Sequence, residues 1–319
     1  MCYSALVRQD IHELARRYGA DIAYDMFADL FRRRLEGEDI KASRALEDNF
    51  AEPKSDLERR IKADIDAYRA TRISEWETTL FQQRKRVVDA ERSLQTKETR
   101  KAREDIRIGS KKIADCLDRL ANARRSEPKK KDSRIFPMVY APVIAEIDGR
   151  LQIVPMRYGC RLAGKPANYD VRYPGTYNAR RDNLDGFWRE VIGRNHAILV
   201  ISGFFENVPT HLYERRELKP GEKETNTILE FQPQPPGDML VACVWDHWEK
   251  AGDPDLWSFA ALTDEPPQEI AETGHQRCVI ALQPSNLHEW LSPAGVSRAR
   301  VDEILSNREV FYYKHQMAA

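Results

Sequence analysis

The spacing of apolar residues divides the chain into a helical first part and a strand-rich second part. Apolar side chains recur every three or four residues over 10–18 and 21–35, which predicts two helices after a short strand at 2–8. From residue 134 onward, short apolar runs are broken by proline and glycine, as in strands joined by turns. The expected strands are 135–140, 143–147, 151–155, 197–201, 227–231, 239–245, 257–262 and 277–282.

A long polar segment with a narrow apolar stripe separates these two parts. No proline interrupts the chain between Pro53 and Pro128. The stripe follows steps of three and four or their sums, as in coiled coils. Its members are Leu57, Ile61, Ile65, Tyr68, Trp76, Leu80, Val87 and Leu94. Gly109-Ser110 predicts the end of one helix and the N-cap of a second, which would fold back along the first.

The order of these elements predicts an α+β protein. Short strands with few intervening helices favour a curved, barrel-like, mainly antiparallel sheet with flanking helices. Those later helices are expected at 183–193, 285–292 and 296–306. We predict one domain from residues 1–45 and 132–319, into which 46–131 is inserted as a long helical hairpin.

The charge distribution adds a second difference between these segments. The chain of 319 residues has a net charge of zero, but 54–131 carries 23 Lys and Arg against 14 Asp and Glu. The other residues carry 28 against 37. A basic segment suits contact with a polyanion, whereas a solvated helix face, a spacer or an arm for self-association explains the same charges.

Cysteine usage and hydropathy indicate the compartment. The five cysteines are an odd number without the spacing of a disulfide framework, which favours reduced thiols and a cytoplasmic location. No apolar run reaches the length of a membrane span or of a signal peptide, so no membrane association is expected. The sequence has no cofactor motif, and none is predicted.

The first two residues, Met1-Cys2, carry the most distinctive chemistry in the chain. Removal of Met1 would leave Cys2 with a free α-amine and a thiol. The ordinary pKa values of these groups, about 8 and about 8.5, leave both partly reactive near neutral pH. Such an aminothiol condenses with an aldehyde to a five-membered thiazolidine, or acts as an amidohydrolase nucleophile that uses its own amine as base. An incidental cysteine is the alternative interpretation.

Polar residues that interrupt apolar strands are the other candidates for chemistry. Asn178 lies at a strand end, where an amide can orient a nucleophile; an Asx-turn is the alternative. Glu206 follows an apolar run, so burial would raise its pKa and make it an acid–base; a strand-end glutamate is the alternative. His275 follows a glycine before an apolar run, which suits proton transfer or a structural role.

Arginines and a tyrosine near these residues suit nucleic acid. Arg180 and Arg181 match phosphate oxygens, and Arg157 beside Tyr158 combines a cation with a ring that stacks on bases. Each pattern also occurs on ordinary protein surfaces.

A zinc site is a competing interpretation of some of the same residues. Cys243 and His247 are spaced C-x3-H, and His275 and Cys278 are spaced H-x2-C. Cys243 lies within an apolar run that predicts a buried strand, so we favour a core thiol and no metal.

Taken together and in this order, the polar stretches resemble the SOS response-associated peptidase (SRAP) family. Proteins of that family begin Met-Cys and then carry Met-Arg-Trp-Gly, Asn-Ala-Arg, Gly-Phe-Tyr-Glu and His-Asp-Arg blocks. The matching stretches after Met1-Cys2 are Met156-Arg157-Tyr158-Gly159, Asn178-Ala179-Arg180, Gly203-Phe204-Phe205-Glu206 and His275-Gln276-Arg277. Pro137 falls in an early proline-bearing stretch that is similar to one of the family.

The resemblance implies a DNA-damage response protein that crosslinks abasic sites in single-stranded DNA through Cys2, after autoproteolytic loss of Met1. It implies peptidase and lyase-type activity and association with the nucleoid when DNA is bound. Asn178 would orient the aminothiol, Glu206 would act as acid–base in imine formation, and His275 would assist opening of the sugar ring. The implied DNA contacts are Arg157, Tyr158, Arg180, Arg181 and Pro137.

One departure from the family pattern gives the helical hairpin a candidate role. Tyr3-Ser4 stands where the family commonly has Gly-Arg, and the basic hairpin would supply the missing positive charge. Two other functions stay open. One is a cysteine amidohydrolase or peptidase acting in trans, and the other is a non-enzymatic adaptor that uses the hairpin to bind a protein partner or a second copy.

Overall fold

The computed structural model describes residues 3–318, so the prediction for Met1-Cys2 lies outside the described residues. The strands are β1 Ser4–Val7, β2 Asp21–Ile22, β3 Lys41–Ala42, β4 Arg134–Ile135, β5 Val139–Ile147, β6 Arg150–Tyr158, β7 Asn178–Arg180, β8 His196–Pro209, β9 Asn226–Gln234, β10 Met239–Trp248, β11 Leu256–Asp264, β12 Cys278–Val279 and β13 Tyr312–Met317. The α-helices are α1 Ile11–Tyr18, α2 Tyr24–Leu35, α3 Arg44–Glu47, α4 Asp56–Thr96, α5 Arg100–Arg124, α6 Tyr169–Arg172, α7 Thr210–Tyr213, α8 Gln268–Ala271, α9 Leu287–Leu291 and α10 Arg298–Ser306.

Five of these strands close into a barrel. Hydrogen bonds join β8 to β10, β10 to β11, β11 to β6, β6 to β5, and β5 back to β8. Only the β11–β6 contact in this ring is parallel. Strands outside the ring extend it, because β9 and β13 continue from β8 while β7 and β12 pair with β11. The prediction of an α+β fold with a curved, barrel-like, mainly antiparallel sheet is therefore confirmed.

The core of the barrel comes from apolar side chains on successive strands. Alternate positions such as Leu199 and Ile201 on β8, and Val241 and Cys243 on β10, are buried together. Strand residues between them are buried as well, so β8 and β10 are continuous apolar runs rather than alternating ones. Full burial of each such side chain contributes about 1.5–3 kcal/mol.

Strand β8 changes partners along its length, and this change positions its second half. Its first residues pair with β10, and its last residues, from Phe204 onward, pair with β9. The register with β1 shifts at the same place, where Val7 pairs with Ile201 and Leu6 pairs with Gly203. A Cβ on Gly203 would lie 2.9 Å from the Phe231 carbonyl oxygen, so the close approach of β9 requires glycine.

Helices α4 and α5 form the predicted helical hairpin, but the turn lies elsewhere than Gly109. Helix α4 ends at Thr96, and α5 begins after Thr99, whose side-chain oxygen accepts the Ala102 N–H at 3.2 Å. Gly109 lies inside α5, at a point where the two helices touch. A Cβ at this residue would come within 2.6 Å of a Val87 methyl group, so the close contact between the helices requires glycine.

The hairpin also carries ion pairs between its helices. The Arg86 guanidinium bonds the Asp105 carboxylate, and Arg124 bonds Glu77. A coiled-coil role for the hairpin stays a prediction.

The described residues divide into two compact units. One holds residues 3–30, 39–52 and 129–318 and contains the barrel. The other holds 31–38 and 53–128 and contains the helical hairpin. The domain assignment predicted from the sequence stays a prediction. Across the described chain, no helix has both the length and the apolar character needed to cross a bilayer.

Two further local predictions were wrong. The stretch 183–193 is a series of turns, with Gly193 at a φ of 80°, rather than a helix. Its apolar residues are nevertheless buried, and their spacing along the sequence is the pattern that predicted a helix. The expected strands 135–140 and 143–147 are replaced by the short β4 and by β5, which runs unbroken through Pro142 opposite Pro155.

Candidate active site

Glu206 lies on the part of β8 that leaves the barrel. This residue is 0% exposed, and burial raises the pKa of its carboxyl group above the usual value. Strand β1 lies directly beside it, because Ser4 pairs with Phe205 and the Tyr3 N–H donates to the Phe205 carbonyl at 3.2 Å. The first described residues therefore lie next to a buried carboxyl group.

His275 approaches Glu206 from the loop between α8 and β12. Its Nε2 lies 3.2 Å from the Glu206 Oε2, and both side chains are almost fully buried. Its Nδ1 lies 2.8 Å from the Arg277 carbonyl oxygen and 3.3 Å from the Arg277 backbone nitrogen, so the backbone of Arg277 holds the imidazole ring in place. Nε2 is the ring nitrogen that faces the Glu206 carboxyl.

The tight turn before His275 depends on glycine. Gly274 has a φ of 91°, and a Cβ there would lie 2.7 Å from the Leu212 Cβ. A larger residue would move the loop away from β8 and separate the imidazole from Glu206.

Asn178 begins β7, which runs parallel to β11 with Asn178 opposite Ala261. It is buried, and neither atom of its side-chain amide has a hydrogen-bond partner within residues 3–318. Leaving a buried amide unpaired costs about 1–3 kcal/mol, so such a group marks a place where a ligand or another polar group is expected.

The sheet register brings the asparagine and histidine stretches together. Arg180 on β7 and Val279 on β12 pair with Thr263 from its two sides. Arg277 then bonds Asp182 at 3.2 Å, and Arg180 bonds the same carboxylate. Residues that are far apart in the sequence thus meet at the end of β11.

A comparison with protein-family models decides the assignment. The model of the SOS response associated peptidase (SRAP) family matches residues 92–316, which is well over half of the chain. The chain belongs to the SRAP family. Membership in this family supports a function associated with the response to DNA damage. The family includes peptidase-like members, and membership suggests an association with DNA. A search of curated proteins gave no match.

Solved structures of low sequence identity are similar to the chain. A protein from Bacteroides thetaiotaomicron has 16% identity and a TM-score of 0.46, over 58% of this chain and 77% of that one. A protein from Bordetella bronchiseptica has 15% identity and a TM-score of 0.44, over 61% and 90%. A phage-related protein from the same organism has 19% identity and a TM-score of 0.42, over 57% and 80%.

Two residues of this SRAP protein that were expected to contact DNA are buried. The Arg157 guanidinium bonds the Asp170 carboxylate and donates to the Gly159 carbonyl at 3.0 Å. Burial lowers its pKa. The Tyr158 ring is 1% exposed and stacks on Phe259, with 5.2 Å between ring centroids. Neither side chain offers a surface for a phosphate or a base in this conformation, because both are packed inside the fold.

The remaining predicted DNA contacts differ in how accessible they are. Half of the Arg180 side chain is exposed. Arg181 bonds Asp264 at 3.0 Å and reaches Ser306 on α10, so it holds this helix to the sheet. Pro137 is half-buried in the connection between β4 and β5.

Thr263 is a candidate residue that the sequence analysis did not single out. It is fully buried between the stretches that contain Arg180 and Val279, and its hydroxyl has no hydrogen-bond partner in the described chain. Only its position in the sheet distinguishes it, because a threonine in an apolar strand gives no signal of its own.

Cys243, the first potential ligand of the zinc interpretation, lies in the core. The Cys243 thiol is fully buried and lies 3.5 Å from the Val241 carbonyl oxygen, and burial raises its pKa. Among the described residues, His247, Glu249 and Asp255 place one potential ligand atom each within 4.8 Å of one another. Both carboxylates are exposed, and we assign them no role.

Proposed function

We propose that this SRAP protein traps abasic sites in single-stranded DNA through a covalent bond to Cys2. Hydrolysis of the peptide bond between Met1 and Cys2 first releases methionine and exposes the α-amine. Family membership supports this proposal, and the buried Glu206–His275 pair carries it. A coupled carboxyl and imidazole next to the start of the chain are the groups that a condensation with an aldehyde requires.

The proposed condensation has three steps. The amine adds to the aldehyde of the ring-opened sugar and gives a carbinolamine. Protonation of its hydroxyl releases water and leaves an iminium ion, whose nitrogen gives its proton back to the active-site base to form the imine. The thiol sulfur then adds to the imine carbon, and its proton passes to the nitrogen, which closes the thiazolidine.

Glu206 is proposed to donate the proton that releases water. Burial raises the pKa of this carboxyl, so more of it stays protonated near neutral pH than for an exposed glutamate. His275 is 3.2 Å away and is proposed to return a proton to Glu206 and to assist opening of the sugar ring.

Asn178 and Arg180 are proposed to position the reactants. The buried Asn178 amide has unused donors and acceptors among the described residues, which suits a role in orienting the Cys2 amine and thiol. The exposed Arg180 lies two residues further along β7 and suits a phosphate contact.

The decisive experiment mixes the protein with a single-stranded oligonucleotide that contains one abasic site. Intact mass should show loss of Met1, and a denaturing gel should show an adduct that Cys2→Ala abolishes. An oligonucleotide with an aldehyde-free site is the matched substrate control. Retention of Met1, no adduct, or an undiminished adduct in Cys2→Ala contradicts the proposal. Turnover of peptides without DNA would favour the trans-acting peptidase instead.

A further inference from the structure

Tyr3 and Phe136 form an exposed aromatic pair at the surface of the barrel unit. Each residue is 37% exposed, and their ring centroids lie 5.6 Å apart at an interplanar angle of 77°. Tyr3 directly precedes β1 and Phe136 directly follows β4, and the pairing of Ala5 with Ile135 joins these two short strands. The rings are thus held near each other by the sheet rather than by a loose loop.

A guanidinium group borders this aromatic pair. The Arg134 Cζ lies 3.5 Å from the Phe205 ring centroid and 4.8 Å from that of Phe136. Its Nε donates to the Ser4 hydroxyl at 2.9 Å. Stacking and this hydrogen bond fix the guanidinium plane, while its terminal nitrogens carry further N–H donors.

The surroundings of Arg134 keep the local charge positive. Arg134 interacts electrostatically with the carboxylate of Glu230, which also bonds Lys130. Two cations against one carboxylate leave a net positive charge beside the two rings. Such a combination attracts an anion that also carries a flat apolar surface.

The position of this patch relates it to the candidate active site. Phe205, which stacks under Arg134, directly precedes Glu206, and Tyr3 bonds the Phe205 carbonyl. Because successive side chains of a strand point to opposite faces, Phe205 and Glu206 lie on different faces of β8, and the patch adjoins the candidate site through Tyr3, which directly follows Cys2 in the sequence.

We propose that the Tyr3–Phe136 pair is a stacking subsite for the nucleobase that flanks the abasic nucleotide, with Arg134 holding the adjoining phosphate. This inference rests on the proposed function for its ligand. The subsite gives single-stranded DNA a base-independent hold, because every base has a face that stacks. Because Tyr3 directly follows Cys2 in the sequence, a base held on this pair leaves the neighbouring abasic sugar near the proposed nucleophile.

The test uses binding, so it does not depend on crosslinking. Two labelled single-stranded oligonucleotides carry a central aldehyde-free abasic analogue and differ only in their neighbouring nucleotides. These carry bases in one oligonucleotide and are baseless spacers in the other. Affinities are measured by fluorescence anisotropy for the wild type, Phe136→Ala, Phe136→Trp and Tyr312→Ala. Tyr312 is a 60% exposed ring on β13 and serves as the matched control.

The wild type should bind the base-flanked oligonucleotide roughly 5- to 150-fold more tightly, the range expected for one stacked base. Phe136→Ala should lose most of this preference, whereas Phe136→Trp and Tyr312→Ala should keep it. Equal wild-type affinity for both oligonucleotides, or an unchanged preference in Phe136→Ala, overturns the inference. Binding with the expected preference but without an adduct on true abasic DNA would instead leave this subsite intact and refute the proposed crosslinking.

Discussion

Replacement of Glu206 by glutamine is the sharpest test of the proposed chemistry. Glutamine has nearly the same shape, so the buried position on β8 keeps its packing. Its amide can still form a hydrogen bond with His275, whose Nε2 lies 3.2 Å from the carboxylate in the wild type. The substitution therefore removes the ionisable proton and little else.

The expected decrease in rate follows from the role of a buried acid–base. Such a group typically contributes 10²- to 10⁴-fold, which corresponds to about 3–5 kcal/mol of barrier. Glu206→Gln should slow adduct formation by this factor at saturating DNA. The assay is a time course on a denaturing gel, with Glu289→Gln, a surface carboxylate paired with Arg300, as the matched control.

The same substitution should change how stability depends on pH. Burial raises the pKa of Glu206 above 4.5, so ionising it in the folded protein costs free energy. Its contribution to stability is greatest below that ordinary value and is lost as the pH rises through the folded pKa. Glu206→Gln should remove this loss, so urea unfolding should show the variant gaining stability relative to the wild type as the pH rises.

Two results would refute this reasoning. An unchanged rate in Glu206→Gln would mean that another group supplies the proton. An unchanged difference in stability between the variant and the wild type across the pH range would mean that the carboxyl does not titrate with a raised pKa.

Four other predictions test the fold and the helical hairpin. Burial lowers the pKa of His196 from 6.5 to about 4, so stability should fall by up to about 3 kcal/mol as the pH drops through that window, and His196→Gln should lack this fall in urea titrations. Gly203→Ala should cost about 1–3 kcal/mol, measured by thermal unfolding, because its Cβ would lie 2.9 Å from a carbonyl oxygen of β9. Gly109→Ala should likewise destabilise the hairpin, and Val87→Ala in the same chain should restore it, because the clash is with that side chain; no rescue would place the strain elsewhere. Deleting the hairpin should flatten the dependence of DNA affinity on salt by ~0.7 in the log–log slope for each phosphate that the hairpin neutralises, and an unchanged slope would mean that its positive charge does not bind DNA.

The sequence alone determined the type of fold and the order of the chemical groups. Apolar periodicity is a local property, so it identified the long helices and most of the barrel strands. The ordered blocks around Asn178, Glu206 and His275 indicated the family before any contact was known. The same periodicity gave a wrong prediction of a helix at 183–193. The buried apolar residues there have helical spacing, but two glycines and the neighbouring sheet impose turns.

Only the tertiary structure decided which residues meet. Closure of the barrel depends on the pairing of β5 with β8, and no local pattern encodes that contact. Arg157 looked like a phosphate ligand until Asp170 was found against it. His275 looked no different from a surface histidine until its Nε2 was found 3.2 Å from Glu206. Such contacts come from strand register and from loops that pack across the sheet, and these are properties of the whole chain.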